Sequence, residues 1–150
     1  MRAEGAAYAG SVKPLKRSVS LVIETAAGML LVRRPEGDES LPGVWGLPAA
    51  SLRAGESEEE ALKRAGREKL GVELDLVELV GEAEGERPDY RIAMRDWSAR
   101  IAAGQLSVPQ PGGGTQYVDW RWGDPAELVP AAQAGSLCAR VLLRERELAW

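Results

Sequence analysis

Histidine and phenylalanine are absent from this 150-residue sequence, and cysteine occurs once, as Cys138. A lone cysteine without histidine excludes a disulfide framework, the usual zinc sites, and catalysis by Cys/His or Ser/His pairs. Any acid, base or metal-ligand chemistry therefore falls to carboxylates and lysine. Without phenylalanine, the core must be filled by Leu, Val and Ala, with help from the five tryptophans.

Long apolar runs are also missing. No stretch approaches the ~18 apolar residues of a membrane span, and the N-terminal MRAEGAAYAG lacks the apolar segment of a signal peptide. We therefore expect a cytoplasmic protein with no membrane partner. The net charge of -4 and the pI near 5.0 argue against binding a nucleic-acid backbone by counterion release. A small phosphorylated ligand is compatible with this balance, because local cations or a metal would meet its charge.

Length and patterning predict one domain preceded by an arm. A chain of 150 residues fits a single domain that buries a core of its own. Residues 1–16 are rich in Gly and Ala without periodicity, so we expect a flexible N-terminal arm that adds at most an edge strand. Residues 17–150 are expected to form the single domain.

The order of patterned segments predicts an α+β, or mixed α/β, layout. SVSLVIE and MLLVRR flank the turn TAAG and predict a hairpin, and the Pro/Gly-rich loop PEGDESLPGVWGLPA follows. Ser57 with Glu60 three residues later has the capping-box spacing that begins a helix. That helix is predicted to end near Leu70, at Gly71.

The second half of the chain predicts three strands and a final helical region. VELDLVELVGEAEGE indicates a strand and an acidic turn, RIAMRDWSARI a long strand, and TQYVDWRW another strand. Asp124 followed by Pro125 begins the next helical segment. SLCARVLLRERELA carries an apolar stripe of helical period through Leu137, Val141 and Leu148.

The stretch from residue 41 to residue 72, LPGVWGLPAASLRAGESEEEALKRAGREKLGV, holds the residues with chemical potential. It resembles the Nudix family, whose box is G-x5-E-x7-R-E-U-x-E-E-x-G-U with U aliphatic. The positions that agree are Glu56, Arg64, Glu68, Gly71 and Val72. The positions that depart are Ala50, Ala65, Gly66 and Lys69. The lead-in LPGVWGLP, the AGES turn and the two strands before it also fall where the family places them, so the resemblance extends from about residue 17 to residue 148.

The resemblance implies a Nudix fold, a mixed β-sheet sandwiched between α-helices. It also implies hydrolysis of a nucleoside diphosphate linked to another moiety, such as a nucleoside triphosphate or ADP-ribose. Mg²⁺ or Mn²⁺ would polarise the phosphoryl oxygens and activate the attacking water. Homodimers are common among such proteins, so a second copy of the chain is a candidate partner beside the nucleotide-like substrate.

The box gives the candidate catalytic residues Glu56, Arg64 and Glu68. The candidate metal ligands are Glu56 and Glu68 of the box and Glu60, which lies on the same side of the helix. Positions 60, 64 and 68 share a helical stripe, and Glu56 lies just before the helix. A further base or ligand would come from the acidic segment, as Glu82, Glu84 or Glu86. The structural alternatives are that Glu60 only caps the helix, that Glu56 and Arg64 form an ion pair, and that Glu68 is solvated.

Candidate substrate-binding residues lie outside the box. The guanidinium groups of Arg33, Arg34 and Arg91 match phosphate geometry. Trp45 is a candidate for stacking on a base, as are Tyr90, Trp120 and Trp122. With only eight aromatic residues and no phenylalanine, core filling is the alternative for each ring.

Two departures from the box decide between functional classes. Positions 65, 68 and 69 lie on one helix face, and Ala65 and Lys69 replace two carboxylates there, which changes the local formal charge from -3 to 0. Lys69 paired with Glu68 would occupy the place of the cation and attract phosphate without activating water. Three classes stay open at this point: a hydrolase with an altered ligand set, a catalytically impaired nucleotide-binding module, and an interaction domain that keeps only the fold.

Overall fold

The structure is a computed structural model that describes residues 12–150. Most of the predicted arm, residues 1–11, lies outside the described residues. The first strand already begins at Leu15, two residues before the predicted start of the domain. Lys13 is joined to the body as well, because its Nζ donates to the Arg87 carbonyl at 3.0 Å.

Seven strands and three α-helices make up the described part of the chain. The strands are β1 Leu15–Thr25, β2 Gly28–Arg33, β3 Trp45–Gly46, β4 Ala49–Ser51, β5 Val72–Glu86, β6 Arg91–Gly104 and β7 Asp119–Gly123. The α-helices are α1 Glu58–Ala65, α2 Val129–Gln133 and α3 Leu137–Glu145. A π-helical turn, Gly66–Leu70, extends α1, and a 3-10 turn, Pro125–Leu128, precedes α2.

Strand β1 is the centre of a mixed sheet. It runs parallel to β6 from Leu15 to Ile23 and antiparallel to β4 and β2 on its other side. Beyond β6 the sheet ends with β5, and beyond β2 it continues with β3 and β7. Helix α1 packs on one face through Leu62, and α3 packs on the other through Leu142 and Leu143. This architecture confirms the predicted mixed sheet between helices.

Helix α1 begins and ends as the sequence predicts. Ser57 Oγ accepts from the Glu60 N–H at 3.1 Å, and Glu60 Oε1 accepts from the Ser57 N–H at 2.8 Å, which completes the capping box. Gly71 closes the helix with φ 76°, and its N–H donates to the Gly66 carbonyl five residues earlier. A Cβ on Gly66 would lie 2.7 Å from Leu74 Cδ1, so glycine at this position permits the close approach of β5.

The acidic segment is not a turn, and that prediction is wrong. Strand β5 continues to Glu86 and pairs with β6 throughout, with Ala83 opposite Met94. Glu alternates here with Ala and Gly, and this period of two places the acids on one side of a strand. The chain turns only at residues 87–90, so β5 is a 15-residue strand at the edge of the described sheet.

Two other boundaries differ from the predictions. Strand β7 begins at Asp119, so Tyr117 precedes it and is buried in the core instead. Helix α3 ends at Glu145, and Leu148 lies beyond it with 38% exposure, so the apolar stripe ends earlier than predicted. Among residues 12–150 no helix is both long and apolar enough to cross a membrane.

Candidate functional site

Two neighbouring concavities hold the residues of chemical interest. The smaller, here called the hollow, has a volume of about 550 Å³ and lies over α1, lined in part by Glu56, Glu60, Arg64 and Glu68. The larger, here called the cleft, has a volume of about 680 Å³. Its walls come from β1, β4, the loop after β2, residues 115–117 and the start of α3.

Glu56 and Arg64 form a bidentate ion pair. Arg64 Nε and Nη2 donate to the two carboxylate oxygens at 2.7 and 2.9 Å, and each side chain is only 12% exposed. Arg64 Nη2 also donates to the Ser51 carbonyl at 2.9 Å. Hydrogen bonding to Arg64 lowers the pKa of Glu56 to about 2, against the opposing effect of burial. The pair joins the loop before α1 to the helix.

The other two predicted ligands also have partners. Glu60 caps the helix through the Ser57 N–H. Glu68 lies between two guanidinium groups, at 3.4 Å from Arg53 and 3.8 Å from Arg64, and it is 34% exposed. Two cations beside one carboxylate oppose the approach of a third positive charge.

Positions 65, 68 and 69 do not face one place, because the chain passes there from an α-helix into a π-helical turn. Ala65 is 1% exposed and belongs to the core. Glu68 faces the hollow, and Lys69 lines the cleft. The three side chains present at these positions therefore lie in three different surroundings.

Lys69 has no carboxylate partner among residues 12–150. Its Nζ donates to the Ala49 carbonyl at 2.7 Å and lies 5.6 Å from the centre of the Tyr117 ring. The expected pairing with Glu68 is not formed, and no acidic group of residues 12–150 lies within ion-pair distance of this ammonium. Burial, reinforced by repulsion from Arg34 and Arg64, lowers the pKa of Lys69 to about 8.

The three acids of β5 that were candidates for a further base or ligand are each paired with a cation. Glu82 pairs with Arg95 at 2.8 Å, Glu84 with Arg91 at 3.8 Å, and Glu86 with Lys13 at 3.0 Å. None of the three lines the cleft or the hollow. They are therefore not placed to add a ligand or a base to α1.

The residues present do not fit a divalent metal site of the predicted kind. Mg²⁺ and Mn²⁺ take several oxygen ligands at short range. Here Glu56 and Glu60 are engaged, Glu68 is flanked by arginines, and Lys69 presents an ammonium. In the described part of the chain, no three acidic, Cys or His side chains are grouped as metal binding would require.

Of the predicted substrate-binding residues, Arg34 lines the cleft, where its Nη1 lies 3.4 Å from Asp38 Oδ1. Arg33 instead pairs with Glu36 at 2.6 Å, and Arg91 pairs with Glu84.

Trp45 lies outside the cleft, beneath the Arg121 guanidinium at 4.4 Å. Among the aromatic candidates, Tyr90 is in the cleft, whereas Trp120 and Trp122 pack against the core.

The structure adds cleft residues that sequence reasoning missed. Tyr117 is buried, and its hydroxyl accepts from the Ala49 N–H at 2.9 Å. The side-chain amide of Gln116 donates to the Glu68 carbonyl at 2.9 Å, which ties the loop before β7 to α1. Lys16 and Arg87 line the cleft as well. None of these four carries a motif, and only the tertiary fold brings them together.

The cleft is cationic in an acidic protein. Its lining contains the cations Lys16, Arg34, Lys69 and Arg87 and the acids Asp38 and Glu39, which leaves two positive charges in excess. The chain as a whole carries -4. Such a cleft concentrates small anions.

An unpaired carboxyl group lies beneath the floor of the cleft. Ser18 of β1 and Met94 of β6 are register partners that line the floor. Ser20 and Asp96 form the next pair on the same face, two residues further along each strand. Asp96 is fully buried, and neither its carboxyl oxygens nor the Ser20 hydroxyl has a hydrogen-bond partner among the described residues. Burial raises the pKa of Asp96 to about 8, so this group is largely neutral at pH 7.

Comparisons with known proteins agree with this architecture. An isopentenyl-diphosphate Delta-isomerase from Clavibacter michiganensis subsp. michiganensis is 30% identical over 125 residues, which cover 73% of this chain but only 58% of that protein. A MutT protein of Methanosarcina mazei superposes with a TM-score of 0.70 at 20% identity, over 90% of this chain and 95% of that chain. The E. coli ORF135 protein gives 0.67 at 26% identity, over 94% and 98%. The model of the NUDIX domain matches residues 14–144, so the chain belongs to the NUDIX family.

Proposed function

We propose that this chain binds a small diphosphate compound, of the nucleotide type, in the cleft, and that Lys69 and Arg34 supply the positive charge that a divalent metal supplies elsewhere. The observation that carries the proposal is the position of Lys69. Its ammonium lines a 680 Å³ cleft, without a carboxylate partner among residues 12–150, where the family box would have an acid. Binding, rather than metal-dependent hydrolysis, is the proposed activity.

The surroundings of Lys69 suit a phosphate group. The Ala49 carbonyl and the Tyr117 ring hold the Lys69 ammonium at one edge of the cleft. Because the side chain is already ordered, it loses little conformational entropy when a phosphate group binds. Arg34 raises the positive potential there, as its repulsion of Lys69 indicates. An arriving diphosphate would add the negative charge that Lys69 lacks, whereas Arg34 already has one carboxylate neighbour, Asp38, at 3.4 Å. The Clavibacter relative is named for a substrate that is itself a diphosphate.

Hydrolysis receives less support because the means of activating water are not assembled. Members of the family generally use divalent metal ions, and these ions lower the pKa of a bound water. The acids of the box are engaged with Arg64, Arg53 and the Ser57 cap instead. Lys69 is not a substitute for the metal in this role, because an ammonium attracts phosphate oxygens but does not coordinate water.

The test is ligand binding to the full chain in the presence of EDTA. Isothermal titration calorimetry with ADP-ribose and with GTP is expected to give saturable binding that added Mg²⁺ does not strengthen. Lys69→Met is expected to weaken binding at least about tenfold, because it removes a charge-assisted hydrogen bond. Lys63→Met, at a lysine of α1 that lines the hollow and not the cleft, is the matched control and should bind as the wild type does.

Two results would contradict the proposal. One is binding that requires Mg²⁺ or Mn²⁺ and is accompanied by phosphate release, which would mean that the acids of the hollow rearrange around a metal. The other is equal loss of affinity in Lys69→Met and Lys63→Met, since a specific contact would not be lost at both positions. A third variant, Lys69→Glu, should abolish metal-free binding altogether.

A further inference from the structure

A second pair of cations lies at the other end of the cleft. Lys16 is on β1, opposite Ile92 of β6, and Arg87 is in the turn between β5 and β6. The Lys16 ammonium lies 5.1 Å from the centre of the Tyr90 ring. The side chains that line the cleft here are those of Lys16, Arg87, Tyr90 and Ile92.

Arg87 is held in place without being neutralised. Its Nη1 donates to the Glu86 carbonyl at 2.9 Å, and its Nη2 donates to the Gly135 carbonyl at 3.2 Å. A guanidinium has five N–H donors, so these two bonds leave others available. Among residues 12–150, neither Arg87 nor Lys16 forms an ion pair with a carboxylate, and the neighbouring Glu86 is paired with Lys13.

The two cation pairs lie at separate levels along β1. Lys69 contacts Ala49, whose register partner on β1 is Ser20, and Lys16 comes four residues before Ser20. At a strand rise of ~3.3 Å per residue, four residues span about 13 Å. Met94, the register partner of Ser18, lies between these two levels of β1, and Ile92 and Leu137 add further apolar lining to the cleft.

We propose that Lys16, Arg87 and Tyr90 form a second anion subsite, which takes a phosphate monoester carried by the same ligand whose diphosphate lies at Lys69. The ligand class is therefore a diphosphate compound with a separate phosphate group, joined by a less polar portion that lies along the apolar floor. This inference rests on the proposed function for its first anchor. The second subsite is supported by its own uncompensated charge, and it is tested separately below.

The first experiment uses inorganic phosphate as the probe and needs no knowledge of the ligand. The ¹⁵N-labelled full chain is titrated with phosphate at constant ionic strength, and the Nε–H signal of Arg87 is followed by NMR. We expect saturable movement of this signal in the wild type and in Lys69→Met. Lys16→Met should reduce the phosphate affinity at Arg87 about tenfold, whereas Lys63→Met should not. The exposed Lys16 side chain forms no hydrogen bond with another of residues 12–150, so this variant is expected to keep its fold.

The second experiment uses a matched pair of ligands, ADP-ribose and ADP-ribose 2′-phosphate. The additional phosphate should tighten binding to the wild type about tenfold. That preference should disappear in Lys16→Met combined with Arg87→Gln and persist in Lys63→Met combined with Arg100→Gln. Lys69→Met should weaken both ligands and leave their ratio unchanged.

The outcomes separate the two proposals. If the Arg87 signal does not respond to phosphate, or stops responding in Lys69→Met, there is no separate subsite. If the wild type does not prefer ADP-ribose 2′-phosphate, the two anchors do not hold one ligand and the inferred ligand class is wrong. If Lys69→Met binds ADP-ribose as tightly as the wild type and its Arg87 signal still responds to phosphate, the proposed role of Lys69 is wrong. The second subsite would then still be supported.

Discussion

Asp96 offers the sharpest test of the energetics of this fold. Its carboxyl group is fully buried without a hydrogen-bond partner among the described residues, and burial raises its pKa from 3.8 to about 8. The folded state therefore binds the proton more tightly than the unfolded state does. Below pH 3.8, the pKa in the unfolded chain, Asp96 does not reduce the free energy of unfolding. Between that pH and about 8, the pKa in the folded chain, the free energy of unfolding falls as pH rises.

The size of the effect follows from the pKa difference. Each unit corresponds to about 1.4 kcal/mol, so keeping Asp96 protonated at pH 7 costs about 4 kcal/mol relative to the unfolded chain. Asp96→Asn replaces the acid with a neutral group of the same shape and removes this cost. We expect the variant to match the wild type near pH 4 and to exceed it by up to about 4 kcal/mol near pH 7.

The assay is urea denaturation, followed by tryptophan fluorescence, at several pH values between about 4 and about 8. Asp89→Asn, in the exposed turn after β5, controls for removing a carboxylate that is not buried. The contribution of other titrating groups cancels when each variant is compared with the wild type at the same pH. A difference for Asp96→Asn that is constant with pH, or a variant less stable than the wild type near pH 7, would mean that Asp96 is ionised and partnered, and the reasoning would be refuted.

Three further predictions concern α1 and the cleft. Glu56→Gln should lower the free energy of unfolding near pH 7 by about 1 to 2 kcal/mol, because it removes the ion pair with Arg64, which solvent partly screens. The pKa of Glu56 is about 2, so the wild type should lose this advantage as pH falls from about 4.5 toward 2. Urea denaturation across that pH range measures both effects. Gly66→Ala should cost about 1 to 3 kcal/mol in the same assay, because the added Cβ lies 2.7 Å from Leu74 Cδ1; an unchanged midpoint would show that β5 moves aside freely. ADP-ribose affinity, measured by calorimetry, should be constant below pH 8 and fall above it as free Lys69 loses its proton, and a flat profile through pH 9 would argue against contact with Lys69.

Sequence patterns among neighbouring residues predict much of the secondary structure. The spacing of Ser57 and Glu60 predicted the start of α1, and Gly71 predicted its end, because caps are decided by residues within one turn. The same local view treated the acidic segment after residue 80 as a turn, although its alternation of Glu with Ala and Gly has the period of a strand. The high charge of this segment suggests a turn, but its period of two is the feature that matches the observed end of β5 at Glu86.

The site was less predictable, because it depends on contacts between distant segments. Arg87 and Lys16 meet in the cleft although 71 positions separate them, and no spacing rule links them. The π-helical turn after Ala65 also separates side chains that an ideal helix would place together. Asp96 did carry a signal: its strand alternates, so an acid two residues after Met94 falls on the buried face.

The outer strand β5 has a consequence for how copies of this chain behave together. Within residues 12–150 it forms an open sheet edge, and it carries six acidic side chains along its length, from Glu73 to Glu86. An open edge is a template for adding another strand. Four of the six acids are paired with cations, but Asp75 and Glu78 form no ion pair among residues 12–150, and these like charges oppose the addition when two copies meet. The protection is electrostatic, so concentrated salt would weaken it and favour aggregation through this edge. The acidic side chains of β5 thus favour colloidal stability at one rim of the molecule, whereas the cleft has an excess of cations.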